Sequence, residues 1–444
     1  MGYRLLSFII VFFTVLTAVY TDVFGDSRDL PPALILGFLL LAGSSMGFFM
    51  EFAGLPRLTG YILTGLIFGP YVLGLFTIES VYQLNFLNSL ALAFIAFCAG
   101  GELKLAEIRR NAKTIFYMLG GITLFVFSGV TIAVVFLSSY IPFIAPYPFK
   151  TKIAIASIFG IISTARSPSS AIAIINETKA KGEYTNSVLS VTIAMDVIVI
   201  ILFAVAVTLS RKIITPQSTA SFIFIIELIF EIGLAMAIGY FLGKSIIFLV
   251  RELKVELPIV VAAMGFLVIK FCHLLGQFMS DLYSISLNLE PLLICMAAGF
   301  TVQNLSKYGK EFLESMTRIS LPIYVAFFVI TGAMINVDVL RESWFLGLAI
   351  VTVRLIMVYL GSYLSGRAAG EEPRIYRNTW LGFITQAGVS IGLVTEVVRR
   401  FPEFGVQIQS ILIASITFNQ LLGPAAFKHG LNLAGETGAK YLTR

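Results

Sequence analysis

The sequence predicts an all-α polytopic membrane protein of roughly 13–14 transmembrane helices, arranged as inverted repeats that each contain one broken helix. Three observations lead there. Only 13% of the 444 residues are charged while 58% are hydrophobic, with a mean hydropathy of +0.92. Soluble domains carry roughly 25% charged residues, so these charges are too few to cover a globule of this size in water. Apolar runs of spanning length recur along the chain, and at about 20 residues per span its length accommodates roughly 12–14 of them. Two of the runs are interrupted by polar sequence at corresponding places in the two halves.

In chain order the spans fall near 5–21, 33–50, 57–75, 86–103, 114–138, 152–176 and 186–209, then 222–243, 257–275, 287–302, 319–336, 344–365, 378–398 and 405–427. The first follows Arg4, but Thr17-Ala18-Val19-Tyr20-Thr21-Asp22 is a poor cleavage site. It therefore reads as a helix and not as a signal peptide. Twenty of the 31 basic residues, Lys104, Arg109, Arg110 and Lys113 among them, fall in segments on one side, against eight on the other. That bias predicts both termini in the cytoplasm, in a multi-pass protein of the plasma (inner) membrane. The net charge of +6 then reflects loops facing anionic lipid, not nucleic acid. Cys98, Cys272 and Cys295 lie in apolar runs without CxxC spacing and read as small core residues. The only histidines, His273 and His429, are far apart and join no metal or catalytic cluster. A membrane enzyme, a resident metal and a cofactor are therefore not expected.

Charge inside a span is expensive and marks function by default. Asp196 is the clearest case, the only charged side chain between Glu183 and Arg211, within Ser190-Val191-Thr192-Ile193-Ala194-Met195-Asp196-Val197-Ile198. An isolated membrane carboxylate binds either a proton or a hard cation, which makes it a natural exchange site. The span before it reads Ser163-Thr164-Ala165-Arg166-Ser167-Pro168-Ser169-Ser170. Pro168 lacks an N–H and disfavours helix at Ser167, while the hydroxyls can bond the freed backbone groups. This predicts a helix broken at mid-membrane, tolerated only where it is buried in protein or lines a cavity. A plain proline kink is the simpler reading, but a guanidinium at Arg166 needs a carboxylate or a wet site.

Thr385-Gln386-Ala387-Gly388-Val389-Ser390 is the second break candidate. In both halves an unbroken span (114–138; 344–365) precedes the broken one and a final span (186–209; 405–427) follows. Paired interruptions of this kind point to an inverted-repeat transporter with its site near the midplane. Arg354 lies about a third of the way into span 344–365. It either snorkels to the interface or neutralises the negative helix ends and carboxylates around the breaks.

These residues carry a resemblance. Leu55-Pro56-Arg57-Leu58-Thr59-Gly60-Tyr61, continuing to Gly69-Pro70, resembles the early signature of monovalent cation:proton antiporters of the CPA2 class, the Kef-type and sodium/proton exchangers. Phe97-Cys98-Ala99-Gly100-Gly101-Glu102-Leu103 resembles a further segment of that family. The break Thr164-Ala165-Arg166-Ser167 followed by Asp196 is similar to its core ion site, and Gly382-Phe383-Ile384-Thr385-Gln386-Ala387-Gly388 to its second crossed helix. The resemblance covers nearly all of residues 33–427. It implies a homodimer with elevator-type alternating access, in which Na⁺ or K⁺ and H⁺ compete for Asp196. It also implies that Thr164 and Ser167 belong to the ion site, with Pro168, Ser169, Ser170, Thr385, Gln386 and Gly388 on the broken-helix pathway. Arg354 matches the family's basic residue in the span before the second crossed helix.

The implied division is an extra N-terminal helix and loop (1–32), first-repeat dimerisation helices (33–103), first-repeat core helices (114–209) and a linker helix (222–250). Second-repeat dimerisation helices (257–302), a junction helix (319–336), second-repeat core helices (344–427) and a short cytoplasmic tail (428–444) complete it. Two departures stand out. Electrogenic members of the family place a second carboxylate where Met195 stands here. A thioether shares no protons and binds hard cations poorly, so exchange is expected to be electroneutral. Arg166 lies inside the first break, where it could lock Asp196 in a salt bridge or make the cavity hostile to cations. An anion or organic-acid carrier facing its substrate with Arg166 and Arg354, or a transport-silent sensor, remains the alternative.

Overall fold

A computed structural model describes residues 31–214, 223–253, 256–283, 289, 291–386 and 388–438; the expected first span (5–21) and the end of the expected tail lie outside them. The elements are α1 (Pro32–Phe52), α2 (Arg57–Phe68), α3 (Ile78–Gln83), α4 (Asn85–Glu102), α5 (Leu105–Arg110), α6 (Ala112–Leu137), α7 (Phe149–Thr164), α8 (Pro168–Thr178) and α9 (Glu183–Ile214). There follow α10 (Ile223–Leu253), α11 (Leu257–Tyr283), α12 (Pro291–Leu305), α13 (Gly309–Ala333), α14 (Val337–Ala369), α15 (Pro373–Tyr376), the 3-10 turn η1 (Thr379–Phe383), α16 (Gly388–Arg400) and α17 (Gly405–Ala434).

Among the described residues every regular element is helical, as a lipid environment requires of backbone that has no water to bond. Among the described residues nine helical segments are long and apolar enough to cross a membrane, and four shorter apolar helices (Arg57–Phe68, Phe86–Glu102, Pro291–Leu305, Val389–Val398) accompany them. Each expected span from the second onward has its helix. Several run past their apolar stretch: α9, α10 and α14 contain 32, 31 and 33 residues. Helical hydrogen bonding continues through their polar ends, which hydropathy alone does not register. For the same reason α13 begins at Gly309, within an expected loop, and α17 continues to Ala434, within the expected tail.

The chain divides into two compact units, one of residues up to Glu102 with Ala235–Asp338, the other of Leu103–Leu234 with the residues from Val339 onward. In the first unit α2 packs on α13 and α4 on α12. Each of these crossings uses two glycines, one from each helix, set against the other's backbone. Gly65 faces the Val329 carbonyl and Gly332 that of Ile62; Gly100 faces the Met296 carbonyl and Gly299 that of Phe97. A Cβ at any of the four would overlap the facing carbonyl, so only glycine allows this approach. Exchanging α2 with α12 and α4 with α13 interchanges the two crossings, the pattern an internal repeat produces.

In the second unit α7 packs on α6 and α9, and α17 packs on α16, η1 and α8. The expected interruptions are present in it. Helix α7 ends at Thr164 and α8 begins at Pro168. The second broken span departs from a plain interrupted α-helix, because the stretch before its break is the single 3-10 turn η1.

The glycine crossings give a direct prediction. Gly100→Leu should destabilise the protein by about 1–3 kcal/mol or more through overpacking, read as a lower melting temperature in detergent. Gly37→Ala in α1, where a Cβ meets nothing within 4 Å, should leave it unchanged.

Candidate functional site

Two interrupted helices leave carbonyls without a partner one turn further on, and in the membrane interior these must be met by protein. In the first break Ala165 and Ser167 are extended, with φ/ψ of −60°/149° and −115°/97°. Ser167 caps α8: its Oγ accepts the Ser170 N–H at 3.2 Å and lies 3.0 Å from Ser169 Oγ and 2.9 Å from Ser170 Oγ. Pro168 takes the first helical position, where an N–H is not needed. Thr164 Oγ1 donates to the Ile161 carbonyl at 2.6 Å, bonding its own helix.

The two breaks are joined. The Ser167 N–H donates to the Thr385 carbonyl at 3.1 Å. Gln386 Nε2 donates to the Ile162 carbonyl at 3.1 Å, and Asn419 Nδ2 of α17 donates to Gln386 Oε1 at 2.8 Å. Gly388 begins α16 beyond the second break.

Arg354 of α14 reaches both breaks and is wholly buried. Nε donates to the Ser163 carbonyl at 2.8 Å and Nη2 to that of Ala165 at 3.3 Å, both at the end of α7. Nη1 donates to the Ile384 carbonyl at 2.8 Å and Nη2 to that of Phe383 at 3.2 Å, both at the end of η1. Nη1 also donates to Asn419 Oδ1 at 3.2 Å. The negative carbonyl ends of two half-helices thus converge on one positive group. The side chain does not snorkel.

Asp196 lies on α9 with 9% of its surface exposed. Its neighbour Met195 is fully buried, and Thr123 Oγ1 of α6 donates to its Sδ at 3.4 Å. Arg166 is 1% exposed, and none of its three nitrogens has a hydrogen-bond partner among the described residues. No hydrogen bond therefore joins it to Asp196. Its guanidinium carbon instead lies 5.6 Å from the centroid of the Phe383 ring.

The structure brings Arg354, Thr385, Gln386 and the residues flanking Arg166 into one hydrogen-bonded set. The hydroxyls of Thr164 and Ser167 are engaged in capping and back-bonding within it. Thr123 and Asn419 escaped the sequence reading. A polar pair inside the apolar run Ile416-Thr417-Phe418-Asn419-Gln420-Leu421 is the signal that could have pointed to α17.

Residues 36–422 match the family model described as "Sodium/hydrogen exchanger, transmembrane". Two Bacillus cereus proteins are similar. The probable Na⁺/H⁺ antiporter GerT is 23% identical over 344 residues, 76% of this chain and 83% of its own. The Na⁺/H⁺-K⁺ antiporter GerN is 23% identical over 364 residues, 80% of this chain and 85% of its own. Among solved structures, the sodium proton antiporter MjNhaP1 of Methanocaldococcus jannaschii at pH 8 superposes with a TM-score of 0.64 at 17% identity, over 91% of this chain and 98% of that one. An electron-microscopy structure of the same antiporter gives a TM-score of 0.69 at 18% identity, over 90% and 95%. The fold is that of these antiporter structures.

Arg354→Lys keeps the charge but cannot span both breaks. It should cost about 1–3 kcal/mol for each buried carbonyl left without a partner, with Arg354→Gln at least as damaging. The melting temperature in detergent measures this, and an unchanged value for both variants would show that the clamp is not structural.

Proposed function

The chain belongs to the sodium/hydrogen exchanger family, and from that premise we propose that it exchanges a monovalent cation, Na⁺ or K⁺, for H⁺ at Asp196. It is an integral, multi-pass membrane protein. The observation that carries the proposal is a single buried carboxylate on α9, in the same unit as two broken helices tied together at their interruptions. A carboxylate held out of water binds a proton readily, and its oxygens suit a hard cation, so the two ligands compete for one group. The name of GerN, which includes K⁺ beside Na⁺, supports keeping both cations as substrates.

The exchange is electroneutral on this reading. Met195 occupies the position of a second carboxylate and offers only a thioether, already accepting from Thr123. Arginine stays protonated, so Arg354 contributes a constant charge and carries no proton. One carboxylate then trades one proton for one monovalent cation. Transport proceeds by alternating access of the elevator type in a homodimer, with both termini in the cytoplasm. The carrier reading that faced a substrate with both arginines loses half its support, because Arg354 uses its donors on carbonyls and on Asn419.

The test uses purified protein in liposomes loaded with a pH-sensitive dye, pulsed in turn with Na⁺, K⁺ and Li⁺, with and without a clamped potential. Wild type should move protons in response to Na⁺ or K⁺, at a rate indifferent to the clamp. Asp196→Asn should fall to the background of protein-free liposomes while remaining folded. Silence toward all three cations, or an undiminished response in the variant, would overturn the proposal.

A further inference from the structure

Arg166 has no part in the exchange described above. Its guanidinium is 1% exposed, and Nε, Nη1 and Nη2 have no hydrogen-bond partner among the described residues. The face of the Phe383 ring, 5.6 Å away, offsets only a small part of what a guanidinium loses on leaving water. A permanently charged group buried in this way requires a negative partner.

Its surroundings supply donors. Arg166 immediately precedes Ser167, the N-cap of the 11-residue helix α8, whose positive end favours an anion. In that first turn Pro168 has no N–H, while those of Ser170 and Ala171 go to Ser167 Oγ and to the Ser167 carbonyl. The amide of Ser169 and the hydroxyls of Ser169 and Ser170 complete the turn, the Ser167 hydroxyl itself donating to Ser170 Oγ. A guanidinium offers no lone pair to a cation, and each of these groups can donate. Arg354, bonded to the Ala165 and Phe383 carbonyls, adds a second positive charge beside Arg166 and Phe383.

We infer that the first break holds a small monovalent anion of the halide type, bound by the Arg166 guanidinium and the first turn of α8. One negative charge matches the one buried guanidinium left without a hydrogen-bond partner among the described residues, whereas a multivalent anion would exceed it. The anion is a resident counter-charge and is not exchanged. It gives Arg166 a negative partner other than Asp196.

The experiment is equilibrium binding of radiolabelled chloride to the purified full-length protein in sodium gluconate, with no ion gradient. Its outcome is thus independent of whether the protein exchanges cations. Wild type should bind chloride saturably, bromide and iodide should compete, and gluconate should not. Arg166→Gln should weaken binding by about tenfold or more, the effect of losing a charged hydrogen bond, and Arg166→Lys should keep part of it. Asp196→Asn should bind chloride at least as tightly as wild type does. Three outcomes overturn the inference: no saturable binding to wild type, undiminished binding in Arg166→Gln, or binding that appears only in Asp196→Asn. The last would make Asp196 itself the partner of Arg166. Should Arg166→Gln fail to fold, wild type compared in chloride and gluconate at equal sodium decides, and an identical melting temperature rejects the site.

Discussion

The second unit depends on one guanidinium. Breaking two helices inside a membrane strands their terminal carbonyls where water cannot reach, and each stranded carbonyl is costly. Arg354, on the unbroken helix α14, answers the carbonyls of Ser163, Ala165, Phe383 and Ile384 with one planar fork. The same contact resolves the burial of the arginine, since the negative ends of α7 and η1 surround its charge. A lysine presents its three donors from a single point and has no such reach. Asn419 extends the arrangement, accepting from Arg354 while donating to Gln386, which in turn donates to Ile162. The breaks are therefore built as a closed hydrogen-bonded set and not as two independent gaps.

Much of this was legible in the sequence, for identifiable reasons. Hydropathy locates spans because burial in lipid demands long apolar runs, and Pro168 among hydroxyls exposes the first break because proline cannot complete a helical ladder. The second break was readable from Thr385, Gln386 and Gly388 only through its matching position in the other half. What stayed hidden depends on contacts distant in sequence. Neutral amides such as Asn419 carry no charge to mark them, and a carbonyl acceptor leaves no trace in residue type. The tail gave no warning either. Glu436 accepts the Tyr184 and Thr185 N–H groups, both at 2.8 Å, and so caps the helix that carries Asp196. No local pattern connects a carboxylate near one terminus with a helix start 251 residues earlier.

The two units bring helices close in lipid by opposite means. In the first, reciprocal glycines set backbone against backbone, and no charged side chain is buried among the described residues. In the second the buried charges are Arg166, Asp196, Arg354 and Lys428. Close apolar packing tolerates no desolvated charge, whereas a polar crossing can hold one if every group around it is met. Packing and ionic chemistry are in this way assigned to different parts of the chain.

The charges at the crossing also bear on stoichiometry. Arg354 is compensated by the carbonyl dipoles of both breaks, whereas Arg166 is buried with no hydrogen-bond partner among the described residues. In the proposed exchange, a proton or a monovalent cation on Asp196 would add the same single positive charge. Under that proposal Arg166 would experience the same total charge in both loaded states, and whatever neutralises it would not need to move between them. A second carboxylate at position 195 would break this equality by allowing the proton-loaded and cation-loaded states to differ in charge. The buried thioether there, which accepts from Thr123, would keep the two loaded forms of the proposed exchange electrically equivalent.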